Sequence, residues 1–212
     1  MFRSSGERIA AAIALLVCSP LLLIAMLGIL AESGWPVLFR QTRAGQYGNP
    51  FKIVKLRTMR LGETGSVITK RGDSRITRIG ALLRRYKIDE LPQLWNILLG
   101  HMELIGPRPE VLRYVDMTDP LWLLVLSRKP GLSDPATLIY RDEEQMLARY
   151  ADADRAYREE ILPRKLLLSA QYQQRRNRMT DLKLLLLTVK FSFLPSSFDR
   201  ERITRVFLKE FA

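Results

Sequence analysis

Ile9 to Ala31 (IAAAIALLVCSPLLLIAMLGILA) is a run of 23 residues without a charge, and no other feature narrows the chain's options so far. As a helix at about 1.5 Å per residue it reaches roughly 35 Å, enough for a hydrocarbon core about 30 Å thick. A membrane segment is the first expectation. Arg3 and Arg8 ahead of the run also fit the basic start of a signal peptide, but the run is longer than an ordinary h-region and ends without a small-x-small pattern.

Two properties argue against a plain span. Pro20, in Ser19-Pro20, falls in the middle of the run, where its missing N–H and its ring kink or break a helix. Basic residues stand on both flanks, Arg3 and Arg8 before and Arg40, Arg43, Lys52, Lys55, Arg57 and Arg60 after, so both ends are held on the cytoplasmic side. A helix that enters, breaks at Ser19-Pro20 and returns satisfies both observations. A kinked spanning helix satisfies the first, because membrane helices tolerate Pro. The residues alone leave the two forms open.

The rest of the chain reads as one cytoplasmic unit, residues 35–212 after a membrane segment at 1–34. The 212 residues carry 34 Lys and Arg against 22 Asp and Glu, a net charge of +12, and are 47% apolar, which excludes a disordered chain and predicts a polyanionic partner. A nucleic-acid binder is not favoured, since the cations are spread along the chain without an aromatic-studded module. With one Cys (Cys18) and one His (His101), intrachain disulfides are excluded and zinc or Cys-His chemistry is disfavoured. Carboxylates and arginines must carry any catalysis, a set suited to phosphate chemistry with a hard cation such as Mg²⁺.

Strands are expected at Val37–Thr42 and Phe51–Thr58 around the Gly45–Pro50 turn signal, then a flexible loop at Arg60–Asp73. Helices are expected at Ile76–Arg85 and at Leu91–Leu99, with Pro92 in the first turn and Gly100 as the stop. Glu110–Met117 reads as helical, Lys129–Tyr140 as a long ordered loop, and Glu143–Tyr157 and Ile161–Arg175 as helices. Thr180-Asp181 caps LKLLLLTVKFSFL, too short to span, which either closes the core or lies in the interfacial plane. The sum is a helix-rich α+β unit resting on a membrane.

The chemistry concentrates between Arg84 and Arg108. Asp89-Glu90 precede Leu91-Pro92 at the start of an expected helix, where the dipole favours anions, and simple capping explains them equally well. Gly106-Pro107-Arg108-Pro109 then places a guanidinium on a loop stiffened by two prolines, a good phosphate clamp. No glycine-rich phosphate loop or dinucleotide fingerprint marks a nucleotide pocket.

Lys87-Ile88-Asp89-Glu90-Leu91-Pro92-Gln93-Leu94, followed by Gly106-Pro107-Arg108-Pro109, resembles the signature of the bacterial monotopic phosphoglycosyl transferases. Phe51-Lys52-Ile53-Val54-Lys55-Leu56-Arg57-Thr58-Met59 is similar to that family's FKIYKFRTM-type segment, and Ser19-Pro20 to its membrane break. The resemblance covers nearly the whole chain, and the two motifs in this order are highly specific. It implies transfer of a phosphosugar from a UDP-sugar to a polyprenyl phosphate, usually undecaprenyl phosphate, with release of UMP at the start of surface-glycan assembly. Asp89 is then the covalent nucleophile and Glu90 the Mg²⁺ ligand. Arg108, Arg84 and Arg141, with Lys55 and Arg57 from the matching segment, bind phosphates or organise the site.

The resemblance also favours the re-entrant form, monotopic on the cytoplasmic face of the bacterial inner membrane and held by anionic lipids. Homodimerisation stays open. One segment departs from the pattern: in place of a PGITGLAQVNGR-like loop the chain reads Pro130-Gly131-Leu132-Ser133-Asp134-Pro135-Ala136-Thr137-Leu138-Ile139-Tyr140-Arg141, which puts sugar specificity and the contact of Arg141 in question.

Overall fold

The computed structural model describes residues 2–62 and 68–209. Gly65 of the expected loop lies outside the described residues. The apolar run is helix α1 (Phe2–Ser33), continuous through Pro20. Two separate helices, expected from Ser19-Pro20, are not formed. The reason is local: Pro20 cannot donate to the carbonyl of Leu16, and the Ser19 hydroxyl donates to that same oxygen at 2.7 Å.

Both ends of α1 touch the rest of the chain. Near its start, Glu7 accepts a hydrogen bond from the Leu104 N–H at 3.0 Å. At its end, Glu32 accepts from the N–H groups of Arg78 and Ile79, each at 2.8 Å. Between them one face packs inward. Ala11 joins Ile53, Leu94, Ile97 and Met102, while Leu22, Ala25 and Ile29 join Val37, Leu56 and Leu83. The rest of its surface, from Ile9 and Ile13 through Leu16, Val17, Leu23, Ile24 and Leu27, is exposed and apolar.

β1 (Leu38–Ala44) and β2 (Pro50–Leu56) form an antiparallel hairpin in the register Leu38 to Leu56 and Ala44 to Pro50. α2 (Arg78–Arg85) starts on Thr77, whose hydroxyl accepts from the Gly80 N–H at 2.9 Å. Gly80 has no room for a side chain, since a Cβ there meets the Thr58 carbonyl at 2.1 Å. A 3-10 turn, Ile88–Glu90, then leads into α3 (Gln93–Leu98), which stops at Gly100 with φ of +81°. Asn96 on α3 fastens β2, accepting from the Val54 N–H at 3.1 Å and donating to the Lys52 carbonyl at 2.7 Å.

β3 (Glu103–Ile105) follows, then α4 (Pro120–Leu126). Glu110–Met117, expected as a helix, contributes only a 3-10 turn at Leu112–Tyr114. The expected loop at Lys129–Tyr140 is largely regular: β4 (Gly131–Ser133) pairs in parallel with β3, and α5 (Pro135–Ile139) begins at Asp134, which caps the Thr137 N–H at 2.6 Å. Its prolines do not oppose this order, because Pro135 sits at the first helical position, where no donor is needed.

The segment expected as one helix at Glu143–Tyr157 is divided into α6 (Glu143–Leu147) and α7 (Ala153–Ala156). A π-helical turn, Tyr157–Ile161, joins α7 to α8 (Leu162–Arg175). α9 (Arg178–Phe193) is capped by Asn177 in a capping box with Thr180, three residues ahead of the expected Thr180-Asp181. α10 (Arg200–Lys209) closes the chain's main core, in which Tyr114, Leu138, Tyr157, Tyr172, Leu184 and Phe207 meet. α9 closes the core through Leu184 and Phe191, while Met179, Leu182, Leu186, Val189 and Phe193 form an exposed stripe at helical spacing.

Candidate active site

The 3-10 turn carrying Asp89 and Glu90 follows Lys87, which takes the left-handed conformation at φ of 57°. That reversal buries both carboxylates; each residue is 8% exposed. Neither side chain caps a helix, for α3 has no side-chain cap and begins beyond Pro92. The capping account of Asp89-Glu90 therefore has no geometry behind it.

Glu90 is clamped from both sides. Its Oε1 accepts from Lys55 Nζ and from an Arg108 NH2, both at 2.7 Å, and Oε2 lies 3.4 Å from the other Arg108 nitrogen. Burial works to raise its carboxyl, but Arg108, Lys55 and Lys87 hold it well below the usual carboxylate range. Glu90 in turn holds Arg108 firmly charged. Burial pulls the Lys55 ammonium down, with Glu90 opposing.

Asp89 is in the opposite state. Its Oδ1 is buried with no hydrogen-bond partner among the described residues. Burial first, and the Glu90 charge second, push its carboxyl up from the ordinary value, against Lys55, Lys87 and Arg84. A helix dipole favouring an ionised Asp89, the expectation from position alone, is opposed here by desolvation.

Of the other expected phosphate ligands, Arg84 and Arg141 act on this turn through their charges, Arg84 on Asp89 and Arg141 on Glu90. Arg84 donates through Nε to the Thr58 hydroxyl at 2.8 Å and pairs with Glu144 at 2.5 Å. Arg141 donates to the Arg85 carbonyl at 2.8 Å and lies within the field of Glu90. Arg57 is placed elsewhere. It is 4% exposed, and one of its terminal nitrogens donates to the Ser33 carbonyl and hydroxyl, both at 2.8 Å, and to the Gly34 carbonyl at 2.6 Å. Arg57 thus neutralises the carbonyl end of α1.

Three site residues carry no sequence signal. Glu144 engages Arg84, and its carboxyl is raised by burial, with Arg84 and Lys87 opposing and Asp89 adding to the rise. Glu110, directly after Arg108-Pro109, is 7% exposed and pairs with Arg43 at 3.3 Å. Tyr157 donates to Glu110 at 2.5 Å.

No group of three or more His, Cys, Asp or Glu residues converges among the described residues, so no all-protein cage for a metal is built there. Mg²⁺ needs less, since it keeps waters and takes one or two carboxylates together with substrate phosphates. The partnerless Asp89 oxygen beside Glu90 suits that demand. Lys55 and Arg108 balance the charges of Asp89 and Glu90, so a divalent cation there would need anionic ligands beyond these two carboxylates.

A buried carboxylate dyad answered by Lys55 and Arg108, in a chain whose N-terminal helix has an apolar exterior, has the chemistry of a site for phosphates. The Bacterial sugar transferase family model matches residues 1–194, and the chain belongs to this family. It is 47% identical over 130 residues to the UDP-glucose:undecaprenyl-phosphate glucose-1-phosphate transferase of Caulobacter vibrioides, covering 59% of this chain and 49% of that one. It is 45% identical over 102 residues to a putative undecaprenyl-phosphate N-acetylgalactosaminyl 1-phosphate transferase of Bacillus subtilis, 47% of this chain and 57% of that one. To the exopolysaccharide production protein ExoY of Rhizobium meliloti it is 32% identical over 170 residues, 71% and 74% of the two chains. The chain thus spans about half the length of the Caulobacter and Bacillus relatives.

Proposed function

We propose that the protein transfers a sugar 1-phosphate from a UDP-sugar to undecaprenyl phosphate, releasing UMP, as an early membrane step of glycoconjugate assembly. The observation that carries this is the buried Asp89 oxygen without a partner, set beside a Glu90 already held by Lys55 and Arg108. The names of the relatives support both substrates.

In the first half-reaction an Asp89 oxygen attacks the sugar-bearing phosphorus. The P–O bond to UMP breaks and UMP leaves with the bridging oxygen and the electron pair. In the second, a phosphate oxygen of undecaprenyl phosphate attacks the same phosphorus, and the Asp89 carboxylate is released. Neither step requires a proton from the protein when the acceptor phosphate is ionised. Desolvation makes Asp89 the better nucleophile, because its charge is poorly hydrated. Arg108, Arg84 and Arg141 receive the charge on the phosphoryl oxygens. Glu90, with Asp89, would hold Mg²⁺, which supplies Lewis-acid neutralisation of the diphosphate.

The protein sits in one leaflet, with both ends of α1 on the domain side. A helix crossing the bilayer carries one end to the far side, away from a domain held at the other, whereas here Glu7 and Glu32 both bond to residues of the same domain. Such a seating puts Asp89 within reach of a polyprenyl headgroup. Exposed apolar side chains on α1 and α9, with Arg178, Lys183 and Lys190 beside the α9 stripe, complement an anionic leaflet.

The test is direct: purified protein with Mg²⁺, undecaprenyl phosphate and UDP-glucose or UDP-N-acetylgalactosamine, followed by assay for UMP. Release that depends on Asp89 is expected, with a phosphosugar adduct on Asp89 trapped when the acceptor is withheld. Full activity of Asp89→Asn overturns the mechanism, and absence of UMP across a panel of UDP-sugars overturns the function.

A further inference from the structure

Beside the site lies a buried polar relay that the reaction above does not use. Glu110 Oε2 accepts from the Tyr157 hydroxyl at 2.5 Å, and its Oε1 accepts from the Val111 N–H at 2.8 Å and from Arg43 at 3.3 Å. The same Arg43 nitrogen reaches the Pro109 carbonyl at 3.4 Å, and the Ala44 N–H donates to the Glu110 carbonyl at 2.8 Å. Lys165 extends the relay, lying 3.3 Å from the Tyr157 hydroxyl and 2.6 Å from Glu143. Tyr157 and Lys165 are 2% and 7% exposed. The loop after Arg108 is therefore stapled to β1 on one side and to the α7–α8 arm on the other.

Packing alone does not call for this. A buried ion-paired network costs desolvation that an apolar cluster avoids, so it adds little to stability for its expense. The π turn that begins at Tyr157 is a second expense, since such turns are rare and found frequently at functional sites. Here its first side chain meets the carboxylate two residues beyond Arg108. Burial and the Glu110 charge push the Tyr157 hydroxyl well above its ordinary value, so it remains a donor throughout the physiological range. Glu110 and Glu143 also add to the field that acts on the Arg108 guanidinium.

We propose that Tyr157 and Glu110 are positioning residues for Arg108: the π turn aims the Tyr157 hydroxyl at Glu110, and Glu110 fixes the Pro107–Pro109 loop so that Arg108 meets the transferring phosphoryl group. This rests on the reading that Arg108 grips that group. A clamp displaced by a fraction of an ångström loses rate without loss of fold.

Three variants test it in the full-length protein. Tyr157→Phe removes one hydroxyl and keeps the ring contact with Tyr114, whose centroid is 5.2 Å away. It is expected to slow UMP release about tenfold and to weaken binding of inorganic pyrophosphate several-fold, with the thermal midpoint unchanged. Glu110→Gln, which keeps an acceptor for the Val111 N–H, follows the same course. In an Arg108→Lys background, Tyr157→Phe adds no further loss, because the two act as one unit.

Wild-type rate and pyrophosphate affinity in Tyr157→Phe overturn the proposal. So does an undiminished tenfold loss in the Arg108→Lys background, or a loss that only follows a fall in thermal midpoint. Arg108→Ala separates the levels: if it stays active, the reading of the site fails, and if it is inactive while Tyr157→Phe is normal, only the positioning role fails.

Discussion

The turn at Asp89-Glu90 and the outward face of α1 are both incomplete, in opposite chemical senses. At the turn, two carboxylates are sunk in protein, Glu90 is answered by Lys55 and Arg108, and one Asp89 oxygen is left unanswered. On α1 the stretch from Ile9 to Ala31 carries no charge at all. Apolar side chains such as Leu16 and Val17, 75% and 71% exposed, simply have nothing against them. A buried polar atom without a partner costs about 1–3 kcal/mol, and the shortfall is a point that a small charged ligand repairs. An apolar shortfall spread along a helix is an area, and only an extended medium repairs it. Under the proposed function the first region supplies the chemistry and the second the place where it happens.

The sharpest way to break this contrast is Asp89→Asn. It removes the proposed nucleophile and keeps the shape, so UMP release should fall by about 10³-fold or more, while sedimentation with vesicles stays unchanged. If vesicle binding falls as well, the two regions are not independent. Arg108→Ala should cost about 10²-fold, since it removes a phosphoryl clamp and leaves Glu90 with Lys55 alone. Arg108→Lys recovers part of that loss but not the two-nitrogen grip.

A pH profile separates the two carboxylates. In the proposed mechanism Asp89 attacks only when ionised, and its carboxyl is raised by burial and by Glu90. The acid limb of kcat/KM for the UDP-sugar, which reports the free enzyme, should therefore lie above the ordinary Asp value of about 3.9. Lys55 lowers both carboxyls. Lys55→Met should move the limb further toward neutral pH, and a shift in the acid direction contradicts the assignment. Glu90 has the reverse sign. Its depressed value stabilises the fold above the unfolded-state carboxylate range, and that contribution is lost as pH falls through the folded value.

The order of the two motifs located Asp89, Glu90 and Arg108, and two short strand-like runs around the Gly45–Pro50 turn signal located the β1–β2 hairpin. What escaped the sequence has physical causes. β3 and β4 are three residues each, too short to show a period, and their pairing joins Glu103 to Gly131 across a long separation. Arg57 reads as one more cation near Lys55, and only the fold reveals that it faces the carbonyl end of α1. Glu110, Glu144 and Tyr157 lie on segments whose local pattern is ordinary, and chain reversals bring them to the site. Pro20 predicts a broken helix correctly as a rule, but Ser19 supplies the donor that Pro20 lacks.

The smallest effect concerns α9, where the contrast is least pronounced because one helix serves both core and exterior. Leu184 is fully buried and Leu186 is 61% exposed, two residues apart on opposite faces. Leu184→Ala should destabilise by about 2–5 kcal/mol, as deletion of core methyl groups does. Leu186→Gln should leave the thermal midpoint unmoved, since it meets no core residue. If the stripe of Met179, Leu182, Leu186, Val189 and Phe193 lies against lipid, losing one of its members should weaken partitioning to anionic vesicles only a few-fold, as α1 supplies most of the apolar area. Light scattering provides the other arm: if Leu186→Gln instead converts a dimer to a monomer with vesicle binding unchanged, the stripe joins two copies, and α1 alone meets the membrane.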